Sequence, residues 1–189
     1  MMKRLISFSF MLVLLLTLAA CNKEEDNGKN KESNAVALDE VLTALKEEMA
    51  THLEDIGMPD ALKEDGSLDG YIQSDLVHPS EDDPQSAMFL ERLGIKSDDL
   101  EAGFVIAAMM NINSDEIILL QAKDDSKVEE LEAALKKELE AQTSTWEQYL
   151  PDQYEKVKNN IIKTKGNYLI YITYEDPEAL EAVFDEKLK

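Results

Sequence analysis

Apolar positions recur along the chain at two periods, and the alternation between those periods sets the elements. Leu38, Val41, Leu42, Leu45, Met49, Leu53 and Ile56 follow helical spacing until Gly57 and Pro59, which predicts an amphipathic helix. Residues 58–96 mix acidic residues, Gly and Pro with the short apolar pieces Tyr71-Ile72 and Met88-Phe89-Leu90. They read as a loop-rich stretch with one short helix near 86–93. Gly103 to Ile112 and Ile117 to Ala122 are apolar runs, interrupted only by Asn111 and Gln121, with Asn113-Ser114-Asp115 as the turn between them, the pattern of two buried strands joined as a hairpin. Asp124 or Asp125 can cap the long helix that follows, whose Val128, Leu131, Leu135, Leu139, Gln142, Trp146 and Tyr149 share one face. That phase places Trp146 in the core. Pro151 is suited to open a further short helical turn.

Ile161 to Thr164 and Tyr168 to Tyr174 flank Lys165-Gly166-Asn167, where Gly166-Asn167 suits a two-residue hairpin turn with positive φ at its first position. Asp176 as cap and Pro177 as first helical residue begin a last helix that turns Leu180, Val183, Phe184 and Leu188 inward. An N-terminal helix followed by a ββαββα unit predicts an α+β fold with a mostly antiparallel four-stranded sheet and helices on one face.

The first 37 residues follow neither period. Lys3 and Arg4 precede a fourteen-residue apolar run, Leu5 to Leu18, broken only by Ser7, Ser9 and Thr17. A bilayer span needs about 20 such residues; a charged start, an apolar middle and a small-residue end make a secretory signal peptide. The run ends in Leu18-Ala19-Ala20-Cys21, which resembles the bacterial lipobox, so residues 1–20 are expected to be removed and Cys21 to carry lipid. Two acyl chains meet the two-signal requirement for stable anchoring. Cys21 is the only cysteine, so no intramolecular disulfide can form. Asn22 to Asn34 has no large apolar residue with which to offset the entropy of ordering, and 21–37 reads as a lipidated cysteine and tether before a single domain at 38–189.

Charge narrows the partners. The chain has 40 acidic and 19 basic residues, and removal of Lys3 and Arg4 with the signal gives a mature net charge of −23. Nucleic acid and anionic headgroups are held by Lys and Arg, so neither is expected to bind this surface. The expected contacts are the membrane, through the lipid on Cys21, and an envelope protein or cell-wall component.

Several local strings carry a resemblance. Leu93-Gly94-Ile95, Asp98-Asp99-Leu100, Ser114-Asp115-Glu116-Ile117 leading into Gln121-Ala122-Lys123-Asp124, Trp146-Glu147-Gln148-Tyr149-Leu150-Pro151 and Gly166-Asn167-Tyr168 stand in an order and spacing that resembles a family of bacterial lipoproteins with a domain of unknown function, DUF 4358. The resemblance covers about residues 86–186. It implies an envelope location in a Gram-positive host and supplies no activity, cofactor or catalytic residues. Ser114 stands where alanine is expected.

Motifs for chemistry are sparse. The sequence has no G-x-S-x-G elbow, phosphate-binding loop, dinucleotide fingerprint or H-E-x-x-H. His52 and His78 are the only histidines, and Glu48 with His52 at i, i+4 is the spacing of an exposed polar pair more often than of a metal site. Residues 65–76 approach a calcium loop, with Asp65, Ser67 and Asp69 at positions 1, 3 and 5, Gly70 at 6 and Ile72 at 8. Leu76 replaces the bidentate glutamate at position 12, and Asp75 sits one residue early, so the metal candidates Asp65, Ser67, Asp69 and Asp75 are weak ones beside an ordinary acidic turn. No cofactor is implied. The expected role is a non-catalytic binding or scaffolding module of the cell envelope. The alternatives are a calcium- or cation-responsive module using 65–76, and an enzyme with a carboxylate-based site that no pattern singles out from forty acidic residues.

Overall fold

Strand alternation decides the architecture of the computed structural model, which describes residues 37–81 and 83–189. The expected signal peptide, Cys21 and the tether before Ala37 lie outside the described residues. Five strands form one antiparallel sheet: β1 (Tyr71–Asp75), β2 (Leu100–Ala108), β3 (Glu116–Ala122), β4 (Ile161–Lys165) and β5 (Tyr168–Thr173), in the order β1-β2-β3-β5-β4. Five α-helices accompany it among the described residues: α1 (Leu38–Asp55), α2 (Gln85–Leu93), α3 (Val128–Tyr149), α4 (Pro151–Lys158) and α5 (Pro177–Lys187). None is long and apolar enough to cross a membrane.

Along the two central strands, apolar side chains point both ways. Ile117, Leu119, Ile170 and Ile172 join Phe104 and Ile106 on one face, under Leu45 and Met49 of α1 and Leu180 and Phe184 of α5. Ile118, Leu120, Leu169 and Tyr171 join Val105 on the other, under Phe89 and Leu93 of α2 and Leu131 and Leu135 of α3. A sheet apolar on both faces must be covered on both. The helices therefore lie on two faces, and the expectation of one covered face is corrected. All six residues of β5 are buried, and the runs at 117–122 and 168–173, apolar but for Gln121 and Thr173, are the sequence correlate.

The strand count is also corrected, from four to five. β1 lies within the stretch read as loop and pairs with β2 from Tyr71 opposite Ala108 to Asp75 opposite Phe104. A five-residue edge strand with the sequence Tyr-Ile-Gln-Ser-Asp carries little periodic signal. β2 starts at Leu100 and stops at Ala108, so Met109, Met110 and Ile112, expected inside a buried strand, belong to the β2–β3 connection and are exposed. The second hairpin forms as expected, with Gly166 at φ +62° in its turn. Asp176 accepts from Ala179 N and caps α5, with Pro177 in its first turn. On α3, Leu131, Leu135 and Trp146 are buried, whereas Tyr149, expected inward, is 51% exposed.

Candidate functional site

Four chain segments and one helix meet beside the exposed β2–β3 connection. The end of α1 supplies His52 and Leu53, with Ile56 and Met58 just beyond it; the entry to β1 supplies Asp69, Gly70 and Tyr71. The β2–β3 connection adds Met110, Asn113 and Asp115, α4 adds Lys156, and the chain leaving β5 adds Tyr174 and Glu175. Together they enclose a cleft of about 510 Å³. A backbone bond from Met109 N to Gly70 O, 2.9 Å, holds the connection to the entry of β1.

The cleft floor is a hydrogen-bonded chain centred on the buried Asp115 carboxylate. Lys156 Nζ donates to Asp115 Oδ1 at 2.6 Å, while Tyr71 Oη and Asn113 Nδ2 donate to Oδ2 at 2.7 and 3.0 Å. Lys156 Nζ also donates to Asn113 Oδ1 at 3.1 Å, and the Asp115 backbone N–H donates to the same oxygen at 3.1 Å, which fixes the turn. Tyr71 hydrogen-bonds in turn with Tyr174, whose hydroxyl lies 2.9 Å from His52 Nδ1. Burial, reinforced by the Asp115 charge, pushes both phenols well above the ordinary tyrosine value. They stay protonated, and the Asp115 carboxylate accepts from three side-chain donors, Lys156, Tyr71 and Asn113.

Above this floor the walls are apolar. Ile56, Met58 and Met110 are 62%, 39% and 62% exposed. The arrangement can hold a ligand against a polar floor.

A second polar cluster lies under the opposite sheet face. Arg92 of α2 bonds to Glu116 at the start of β3 and to Glu138 of α3. Gln142 Nε2 donates to Glu138 Oε1 at 2.6 Å, and Trp146 Nε1 donates to Gln142 Oε1 at 2.9 Å. Glu116 Oε2 is buried and has no hydrogen-bond partner. Burial pushes the Glu116 carboxyl up, against the pull of Arg92. Two carboxylates share one guanidinium here, an arrangement that fastens α2 and α3 to the sheet.

The acidic segment 65–76 is a turn running into β1. Asp65 Oδ1 accepts from Ser67 N and Oγ at 2.9 and 2.7 Å, and this bonding to Ser67 holds its carboxyl below the ordinary value. Asp69 pairs with Lys63 at 3.6 Å, and Asp75 Oδ1 accepts from the backbone of Val77 and His78 at 2.8 and 2.7 Å. The Lys46 ammonium enters the turn and donates to Gly66 O at 2.6 Å and to Gln73 Oε1 at 2.9 Å. Among the described residues, no group of three or more His, Cys, Asp or Glu could hold a metal ion. Of the metal candidates in 65–76, Asp69 alone lines the cleft; His52 also lines it, Glu48 and His78 do not, and Cys21 lies outside the described residues.

Sequence reasoning missed Asp115, Lys156, Tyr71 and Tyr174 as a unit. Asp115 was legible only as a turn residue, and its partners lie 41 and 44 positions away.

Comparison with curated proteins and with solved structures gives no match. A family model described as "Domain of unknown function (DUF4358)" matches residues 75–174, which is 100 of the 189 residues. The match starts at the end of β1 and stops at Tyr174, so it contains the Arg92 cluster and the Asp115–Lys156 pair. It leaves out α1, α5 and the His52, Met58 and Asp69 side of the cleft. More than half of the chain is thereby assigned, and the protein belongs to the DUF4358 family.

Proposed function

We propose that this chain is an extracytoplasmic lipoprotein, held through lipid on Cys21 to the outer face of a Gram-positive cytoplasmic membrane, whose folded domain is a non-catalytic binding module. Its ligand, an envelope protein segment or cell-wall component, enters the cleft above Asp115. One observation carries the binding reading. Ile56, Met58 and Met110 stand exposed around a cleft of about 510 Å³ whose polar floor is already internally bonded. Ligand sites combine an apolar lining with a few fixed polar groups in a preformed volume of about 300–1,000 Å³, and contiguous exposed apolar side chains mark interaction sites. The anchoring part is supported by the apolar run Leu5 to Leu18 and the string Leu18-Ala19-Ala20-Cys21.

A fragment screen read by methyl NMR tests the binding reading. Hits should cluster on the methyls of Met58, Met110 and Ile56, and Met110→Glu should abolish them while leaving the melting temperature within about 2 °C, as for an exposed substitution. Hits scattered over the surface, or undiminished in Met110→Glu, would overturn it.

A further inference from the structure

We infer that the cleft takes a ligand with an aliphatic body that ends in a positively charged amine. The inference rests on the binding reading and adds the chemistry of the occupant. Ile56, Met58 and Met110 give walls that suit an alkyl chain, and none of them brings a donor or acceptor beyond the thioethers. Besides Asp115, the cleft is lined by the charged residues Lys156, Asp69 and Glu175. Lys156 is committed to Asp115 and Asn113, so its charge is matched within the floor. Asp69 and Glu175 remain. Asp69 has only a loose, solvent-exposed pair with Lys63 at 3.6 Å, and Glu175 has no ion pair among the described residues. An anionic head would meet two carboxylates, inside the field of a chain of net charge −21; a cationic head would find two partners. A neutral alkyl ligand would gain the walls alone.

Free alkylamines and lysine side chains of a peptide share this chemistry. The test uses residues 21–189 with Cys21→Ser, methyl-labelled at methionine, titrated separately with n-octylammonium, n-octanol, octanoate and N-acetyl-leucyl-lysine amide. n-Octylammonium should shift the Met58 and Met110 methyls saturably and leave Met88, which is exposed but does not line the cleft, unmoved. Its affinity should exceed that of n-octanol by about fivefold at low salt, with octanoate weakest, because each exposed carboxylate adds a modest increment that salt screens. In Asp69→Asn/Glu175→Gln the preference should fall to about twofold or less while the methyl shifts persist. If the lysyl dipeptide binds more tightly than n-octylammonium, the natural amine is peptide-borne; the reverse order points to a free amine, and either upholds the inference. Octanol or octanoate binding as tightly as the amine would overturn it and leave the binding reading standing, as would a double variant with undiminished preference. If no probe moves the cleft methyls, the binding reading falls and the inference falls with it.

Discussion

Trp146 lies in the last turn of α3, 7% exposed, with its Nε1 bonded to Gln142 and its ring 5.7 Å from that of Tyr149. Truncation of a buried tryptophan costs about 3–5 kcal/mol, and Trp146→Ala should lower the stability measured by urea unfolding by that amount. It is the only tryptophan, so native emission should be blue-shifted, weakly quenched by iodide, and should move red on unfolding. Strong native quenching together with near-native stability of Trp146→Ala would place the indole on a binding surface instead. The phase that puts Trp146 inward was legible because Leu131, Leu135 and Trp146 share one helical stripe. Tyr149 was misread on the same stripe, since α3 ends there and Leu150 is extended, at φ −138° and ψ 113°. The cleft residues were not legible at all as a site. Hydrophobic period reports neighbours within an element, whereas Tyr71, Asp115, Lys156 and Tyr174 come from four places in the chain and meet only after the sheet has formed.

Between elements, the Arg92 cluster, which joins α2, β3 and α3, should make them sensitive to pH. Removing one partner of a buried ion pair leaves the others uncompensated, so Arg92→Met should cost about 3 kcal/mol, the lower end for such pairs because the guanidinium keeps some access to water. Glu116 has a folded-state pKa above its ordinary value of 4.5 because burial penalises its charge. A raised carboxyl contributes stability that is fully present below the unfolded-state value and is lost as pH rises through the folded-state value. Glu116→Gln keeps the shape and cannot ionise. It should therefore match the parent near pH 4.5, the ordinary value, and become the more stable of the two as pH is raised toward about 8, read by denaturant unfolding at each pH. A difference that stays flat across that window would show that Glu116 ionises without penalty. Elements were readable where pattern was strong: α1, α3, both hairpins and the capped start of α5. β1 escaped because an edge strand of mixed polarity has no period to detect. The second helical layer escaped because an unbroken apolar strand announces burial on both faces without saying which helices supply the cover.

For the whole molecule, the proposed anchoring has to explain how so acidic a domain would be kept beside an anionic membrane. In the proposed anchoring, a mature net charge of −23 would make the chain repel an anionic leaflet, and no helix among the described residues is long and apolar enough to span it, so the proposed hold rests on the lipid on Cys21. Cys21 is the only cysteine and stands at the exit of the apolar run, where lipid can be attached to its thiol. If the composition of Asn22 to Ala37 makes a flexible tether as expected from sequence, its roughly sixteen residues would have a root-mean-square reach of about 20–24 Å. Cys21→Ser removes the proposed acceptor thiol and lies outside the folded domain. The expected outcome in fractionated cells is loss of the mature membrane-bound form, either as protein released to the medium or as an uncut precursor still carrying residues 1–20. Released protein should unfold at the same temperature as the parent domain, which separates loss of the anchor from loss of the fold. A Cys21→Ser chain that is still processed and still sediments with membranes would mean that something other than lipid on Cys21 holds the protein there.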